Sequence, residues 1–191
     1  GNSTSCVQTI KITLPDWSTF YWPVNYDGLA QNKPMLECGG EYPGPHITGW
    51  PTDGNDFCGT LEIFYNDRVY PLTCGTKILR DWTVVNDCTG LVVTHTQVIR
   101  ITDTTIPTFC DPENIEARTK AYICESDIAV PVLNCLKDNC DAFPKWWVTT
   151  NAGKLVGDKN LNGYVDWNET WYVVGVPVGQ YSLCYHAIDN C

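Results

Sequence analysis

The chain has 191 residues, with 12 Lys plus Arg against 22 Asp plus Glu, for a formal charge of -10. That balance excludes nucleic acid and anionic membrane as expected partners, and no apolar run reaches the roughly 18 residues a membrane span needs, so no membrane insertion is expected in this segment. Eleven cysteines, without a CxxC pair or a Cys/His cluster of zinc spacing, are the density of a disulfide scaffold in an oxidising, extracellular or cell-surface setting.

In chain order, the first segment, Ser3 to Asp16 (STSCVQTIKITLPD), alternates at period 2 as a half-buried strand does. It has an internal counterpart, Thr94 to Asp103 (THTQVIRITD); aligning Gln8 with Gln97 places Ile10 on Ile99, Lys11 on Arg100 and Ile12 on Ile101. The internal copy is preceded by Asn86, Asp87, Cys88, Thr89 and Gly90, and the chain's own end, Asp189, Asn190 and Cys191, joined to Gly1 and Asn2, repeats that layout. Residues 1–16 therefore read as the closing strand of a preceding copy's second domain, and the chain as one period of a longer head-to-tail array. Two proline links, Leu14 to Asp16 and Thr102 to Pro107, mark boundaries. Between them lies domain A, residues 17–104; residues 105–191 form domain B.

Short runs of Val, Ile, Thr, Tyr and Trp broken by Gly, Pro, Asn and Asp predict an all-β chain. The late strands of the two domains correspond: Trp82 precedes Cys88 by six positions, as Tyr185 precedes Cys191, and each domain carries an earlier Asp/Asn and Cys element, NDFCG at Asn55 to Gly59 and DNCD at Asp138 to Asp141. Two diverged copies of one fold are expected. The order of these elements resembles tandem hyalin-repeat (HYR-like), immunoglobulin-like modules. That resemblance implies two tandem β-sandwiches, the second completed by the N-terminal strand of the next period, and no enzymatic activity.

Comparing the copies suggests how the cysteines pair. Domain A lacks counterparts of both Cys6 and Cys110, so these two are expected to bond across periods. Within a period the expected pairs are Cys58 with Cys88, Cys140 with Cys191, Cys38 with Cys74 and Cys124 with Cys184, leaving Cys135 over.

Residues 158–169 (DKNLNGYVDWNE) fill a twelve-residue calcium-loop pattern. Asp158, Asn160, Asn162, the Tyr164 carbonyl, Asp166 and Glu169 would supply the oxygens; Gly163 allows the turn, and Val165 is placed to anchor the loop on the core. The flanks are strand-like, and the loop resembles those of calcium-binding β-sandwich repeats in surface adhesins, where the ion stiffens the module. Three carboxylates and two amides suggest a weak site, with Kd on the order of 10⁻⁴ to 10⁻³ M.

Asn2 and Asn168 head N-x-T/S sequons and are candidate glycosylation sites. Trp146 and Trp147 must face opposite sides of a shared strand, and Trp17, Tyr21 and Trp22 are candidates for packing at the domain boundary. His46, His95 and His186 stand in no recognised catalytic arrangement, and no catalytic residue is expected. The expected function is a structural repeat of an extracellular filament or surface stalk whose partners are copies of itself, head to tail; the alternative is an adhesive, glycan-binding module.

Overall fold

The structure, a computed structural model, describes residues 1–13, 17–54 and 57–191. The Leu14 to Asp16 link and residues Asn55 and Asp56 of the NDFCG element lie outside the described residues. The fold is all-β. Helix among the described residues is confined to a 3-10 turn at Trp17–Thr19 and a single short helix, α1, at Pro45–Thr48. None is long and apolar enough to cross a membrane.

Two units emerge. The first comprises Gly1–Leu36, Glu41–Leu72 and Thr76–Ile101; the second comprises Glu37–Gly40, Thr73–Gly75 and Thr102–Cys191.

The first unit is organised by β1 (Leu36–Glu37), β2 (Leu61–Leu72), β3 (Gly75–Asn86) and β4 (Val92–Thr102), in sheet order β1-β4-β3-β2. Strand β3 alternates strictly: Ile78, Arg80, Trp82, Val84 and Asn86 are buried and the residues between them half-buried, so one face of its pleat lies wholly in the core. Strand β4 buries Gln97 and Ile99.

Polar groups on that face are matched by partners, as burial demands. Gln97 donates its amide to the carbonyls of Val24 (2.8 Å) and Thr48 (3.0 Å) and accepts from the Trp82 indole at 3.4 Å. Arg80, 0% exposed, donates to both oxygens of Asp67 (2.8 Å each), to Thr48 Oγ1 (2.7 Å) and to the Pro43 carbonyl (2.8 Å). Its guanidinium also lies 4.9 Å from the centre of the Tyr65 ring. Burial pushes the Asp67 carboxyl up, but hydrogen bonds from Arg80 and Tyr42 more than offset it, leaving the group below its ordinary range. Burial and the bond to Asp67 push the Tyr42 phenol up to about 12. Trp17 packs on Phe20 and Phe57, and Trp22 on Phe20 and His95, all within this unit.

The second unit holds two sheets. Strands β5 (Glu125–Ala129), β7 (Lys154–Val156) and β8 (Tyr172–Pro177) pair antiparallel in the order β5-β8-β7, with a bulge between Ser126 and Ile128. Strand β6 (Lys145–Thr150) pairs antiparallel with β9 (Leu183–Ile188), from Lys145 opposite Ile188 to Thr150 opposite Leu183. One core joins both sheets: Trp146 and Val148 of β6 with Val173 of β8, together with Val130, Leu133 and Trp171. Trp146 stacks on Tyr185 of β9, while Trp147, on the opposite face, is half-buried against His186 and Tyr164.

Candidate functional site

Three regions carry the residues singled out from the sequence. The first is the N-terminal segment. Residues 1–13 are exposed throughout and, among the described residues, belong to no strand. Val7, Ile10 and Ile12 are 96%, 78% and 92% exposed, whereas Gln97 and Ile99 of β4, the aligned counterparts of Gln8 and Ile10, are fully buried. Asn2 is exposed, as is Asn168.

The second is the loop 158–169, which runs between β7 and β8. Its turns are closed by its own side chains. Asp158 accepts from the backbone of Asn162 (3.2 Å) and Gly163 (2.8 Å), and Asn162 Oδ1 accepts from Tyr164 (2.8 Å). Asn160 and Asn162 both donate to Asp166 Oδ2, at 2.6 and 3.0 Å, and Gly163 takes φ 81° at the sharp turn. The Val165 amide donates to the Trp146 carbonyl at 2.9 Å while its side chain packs on the core, so β6 fixes the loop's middle. Glu169 is buried, accepting from the Lys159 backbone (2.9 Å) and the Trp171 indole (3.3 Å). The loop thus brings together Asn160, Asn162 and Asp166; the carboxylates of Asp158, Asp166 and Glu169 are not gathered within 4.8 Å of one another. The donor set is all oxygen, which is what calcium takes.

The third region, in the second unit, gathers cysteines and acids, and sequence reasoning did not assemble it. Cys38 is bonded to Cys140, with Cα atoms 5.8 Å apart, and Cys110 to Cys135, with Cα atoms 5.4 Å apart. Both bonds correct the sequence-based pairs. Cys38 does not bond Cys74, nor Cys140 Cys191, because the Glu37–Gly40 turn is held against the DNCD element: Asn139 donates to Glu37 Oε1 (3.0 Å) and the Cys38 carbonyl (3.1 Å), and the Cys38 amide donates to the Thr102 carbonyl (3.0 Å). Cys110 does not wait for Cys6, and Cys135 is not left over, because the Cys110 amide donates to the Asn134 carbonyl at 3.1 Å and sets the two cysteines side by side.

No other cysteine–cysteine bond is formed among the described residues. The Cys58 and Cys88 thiols hydrogen-bond each other, on the frame set by Asn86, which donates to the Cys58 carbonyl at 3.0 Å. Cys6, Cys124 and Cys184 are exposed, and the expected bond between Cys124 and Cys184 is not formed. Cys191 meets Cys74: each sulfur lies against the carbonyl preceding the other cysteine, Cys74 Sγ 3.7 Å from Asn190 O and Cys191 Sγ 3.9 Å from Thr73 O.

Around these sulfurs stand Glu37, Asp103, Asp138 and Asp189. Hydrogen bonds from the Thr104 hydroxyl and backbone, and from Asn139, hold Glu37 down at about 2. Asp103 is pushed above its ordinary range by burial and by the like charges of Asp138, Asp189 and Glu37, against one opposing bond from the Thr105 amide. The Oδ2 atoms of Asp103 and Asp138 are buried without a hydrogen-bond partner. Hydrogen bonding to Cys74, burial, and the charges of Asp103 and Asp189 push the Cys191 thiol up to about 12.

The histidines are dispersed: His95 stacks on Trp22, where burial holds its pKa below the usual value, His186 stacks on Trp147, and His46 sits 3.3 Å from Glu41. No protein-family model, curated protein or solved structure matches the chain.

Proposed function

We propose that the chain is the structural repeat unit of an extracellular filament or surface stalk, assembled head to tail by strand complementation, with residues 1–16 of one copy completing the second unit of another. The observation that carries this reading is the exposed apolar stripe of Ile10 and Ile12, which share one face of a period-2 segment. Burying such a stripe is worth about 25 cal/mol per Å² of apolar surface, and an added strand also satisfies the main-chain groups of a sheet edge.

The accepting edge in this reading is β9. Strand β3 of the first unit is flanked by β2 and β4, whereas β9, which carries Tyr185 at the position matching Trp82, pairs among the described residues with β6 alone. A strand from another copy beside β9 would stand where β4 stands beside β3, and Ile10 would fill the role of Ile99. In this proposal the two units are tandem HYR-like sandwiches. Calcium would be held by Asp158, Asn160, Asn162, the Tyr164 carbonyl, Asp166 and Glu169, where it would neutralise the loop's carboxylates and stiffen the link from β7 to β8. The exposed Asn2 and Asn168 would carry glycans.

The test compares the full chain with versions lacking residues 1–16 or carrying Ile10→Asp, by sedimentation and negative-stain imaging. The full chain is expected to form linear oligomers, both variants monomers, and a synthetic peptide of residues 1–16 should raise the melting temperature of the truncated chain. Undiminished assembly of the truncated chain, or a peptide without effect, overturns the proposal.

A further inference from the structure

We infer that Cys74 and Cys191 are a disulfide pair, so that the second unit binds both of its early-chain pieces, Glu37–Gly40 and Thr73–Gly75, through covalent bonds to residues of its main body. The geometry is reciprocal. Each sulfur lies within 4 Å of the carbonyl preceding the other cysteine, so both side chains point across one gap and their thiols are already in contact. Neither backbone is free to drift. The Asp103 amide donates to the Cys74 carbonyl at 3.4 Å, the Cys191 amide to Asp189 Oδ1 at 2.6 Å, and the Asn190 side chain to Asp141 Oδ2 at 2.7 Å.

The internal copy explains why this pair is hidden from sequence comparison. There the NDC cysteine, Cys88, meets Cys58 of the preceding NDFCG element. In the second unit the corresponding partner, Cys140, is taken by Cys38. Cys191 is thereby released to Cys74, and equivalent cysteines of the two copies use non-equivalent partners.

Closure needs a disulfide donor, a small-molecule disulfide such as oxidised glutathione or the disulfide of a thiol oxidoreductase. One protein thiolate attacks a donor sulfur and expels the first donor thiol, forming a mixed disulfide. The second protein thiolate attacks the protein sulfur of that mixed disulfide and expels the second donor thiol. Two electrons pass from the cysteine pair to the donor, and the two protons end on the donor thiols. Once closed, the bond is protected at the Cys191 sulfur: Asp103 and Asp189 oppose the thiolate that reduction there would have to release, and a thiol of raised pKa leaves slowly.

The inference is independent of head-to-tail assembly. The full chain is oxidised in a glutathione couple, alkylated and quenched in acid, digested with pepsin and mapped by tandem mass spectrometry. A peptide linking Cys74 to Cys191 is expected beside one linking Cys38 to Cys140. Cys74→Ser should leave Cys191 alkylated and the Cys38–Cys140 link in place. Recovery of Cys140 linked to Cys191, or of Cys74 and Cys191 both alkylated in the unsubstituted chain, overturns the inference whether or not the variant folds.

Discussion

Removing the Asp67 carboxylate tests the polar centre of the first unit. Arg80 is 0% exposed and the Asp67 side chain 13%, so Asp67→Ala leaves a guanidinium charge in the core without a counter-ion, held by hydrogen bonds to Thr48 and the Pro43 carbonyl and by the Tyr65 ring. An unpaired buried charge costs about 3–5 kcal/mol; the two retained hydrogen bonds place this variant near the lower end. With an m-value of roughly 1–1.5 kcal/mol/M for a unit of this size, the urea midpoint should fall by about 2–3 M. Urea unfolding at pH 7 followed by far-UV circular dichroism, with hydrogen exchange of β3 to assign the transition, measures it. Two comparisons isolate burial as the cause. Asp81→Ala breaks an equally short bond, Arg68 Nε to Asp81 at 2.7 Å, but there the side chains are 48% and 35% exposed, and the loss should stay below about 1 kcal/mol. Adding Arg80→Met to Asp67→Ala should recover stability, because an apolar side chain removes the stranded charge. A double variant no more stable than Asp67→Ala, or an Asp81→Ala loss as large, would refute the reasoning. Because Asp67 titrates below its unfolded value, its contribution is present above about pH 4 and is lost as pH falls through the depressed value; Asp67→Ala should lack this part of the acid arm.

Calcium at about 5 mM should stabilise the second unit by about 1–2 kcal/mol if Kd lies near 10⁻⁴ to 10⁻³ M, a rise of roughly 5–15 °C in melting temperature. The rise should vanish on chelation and in Glu169→Gln, and a flat titration defeats the calcium assignment. Gly157→Ala should cost about 2–4 kcal/mol in thermal melts of the same unit, since residue 157 has φ 127° and a Cβ there would lie 2.6 Å from the Thr170 carbonyl oxygen and 2.7 Å from Trp171 Cα. Asp103→Asn should raise the melting temperature at pH 7. The native carboxyl has a raised value, so its ionisation opposes folding: the penalty sets in as pH rises past the usual 3.8 and is complete above the raised value, and the two chains should converge at low pH.

Strand content was legible because period 2 is a local signal: TKILRDWTVVN alternates in sequence and β3 alternates in burial. The turn at 158–169 was legible for the same reason, its spacing of Asp, Asn and Gly lying within twelve consecutive residues and Gly163 taking the positive φ the pattern requires. Val165 could be placed on the core from its position in that pattern. Arg80 and Gln97 were not legible as core residues, because their burial depends on acceptors from Pro43, Thr48, Asp67 and Val24, distant in sequence and matched only in space. Cysteine pairing was misread where it relied on equivalence between copies. That comparison assumes equivalent partners, and the turn at Glu37–Gly40 breaks the equivalence by occupying Cys140.

By itself the sequence determined that the chain is built of strands, which loop carries a calcium-type spacing and which stretch, residues 1–16, repeats the pattern of a strand found inside the chain. All three rest on neighbours along the chain, where side-chain period and spacing are fixed by backbone geometry. Only the tertiary structure decided which cysteine meets which, which polar side chains are buried, and that Ile10 is exposed while Ile99 is not. Those outcomes depend on which surfaces close on one another, and a local period carries no information about the partner across the core.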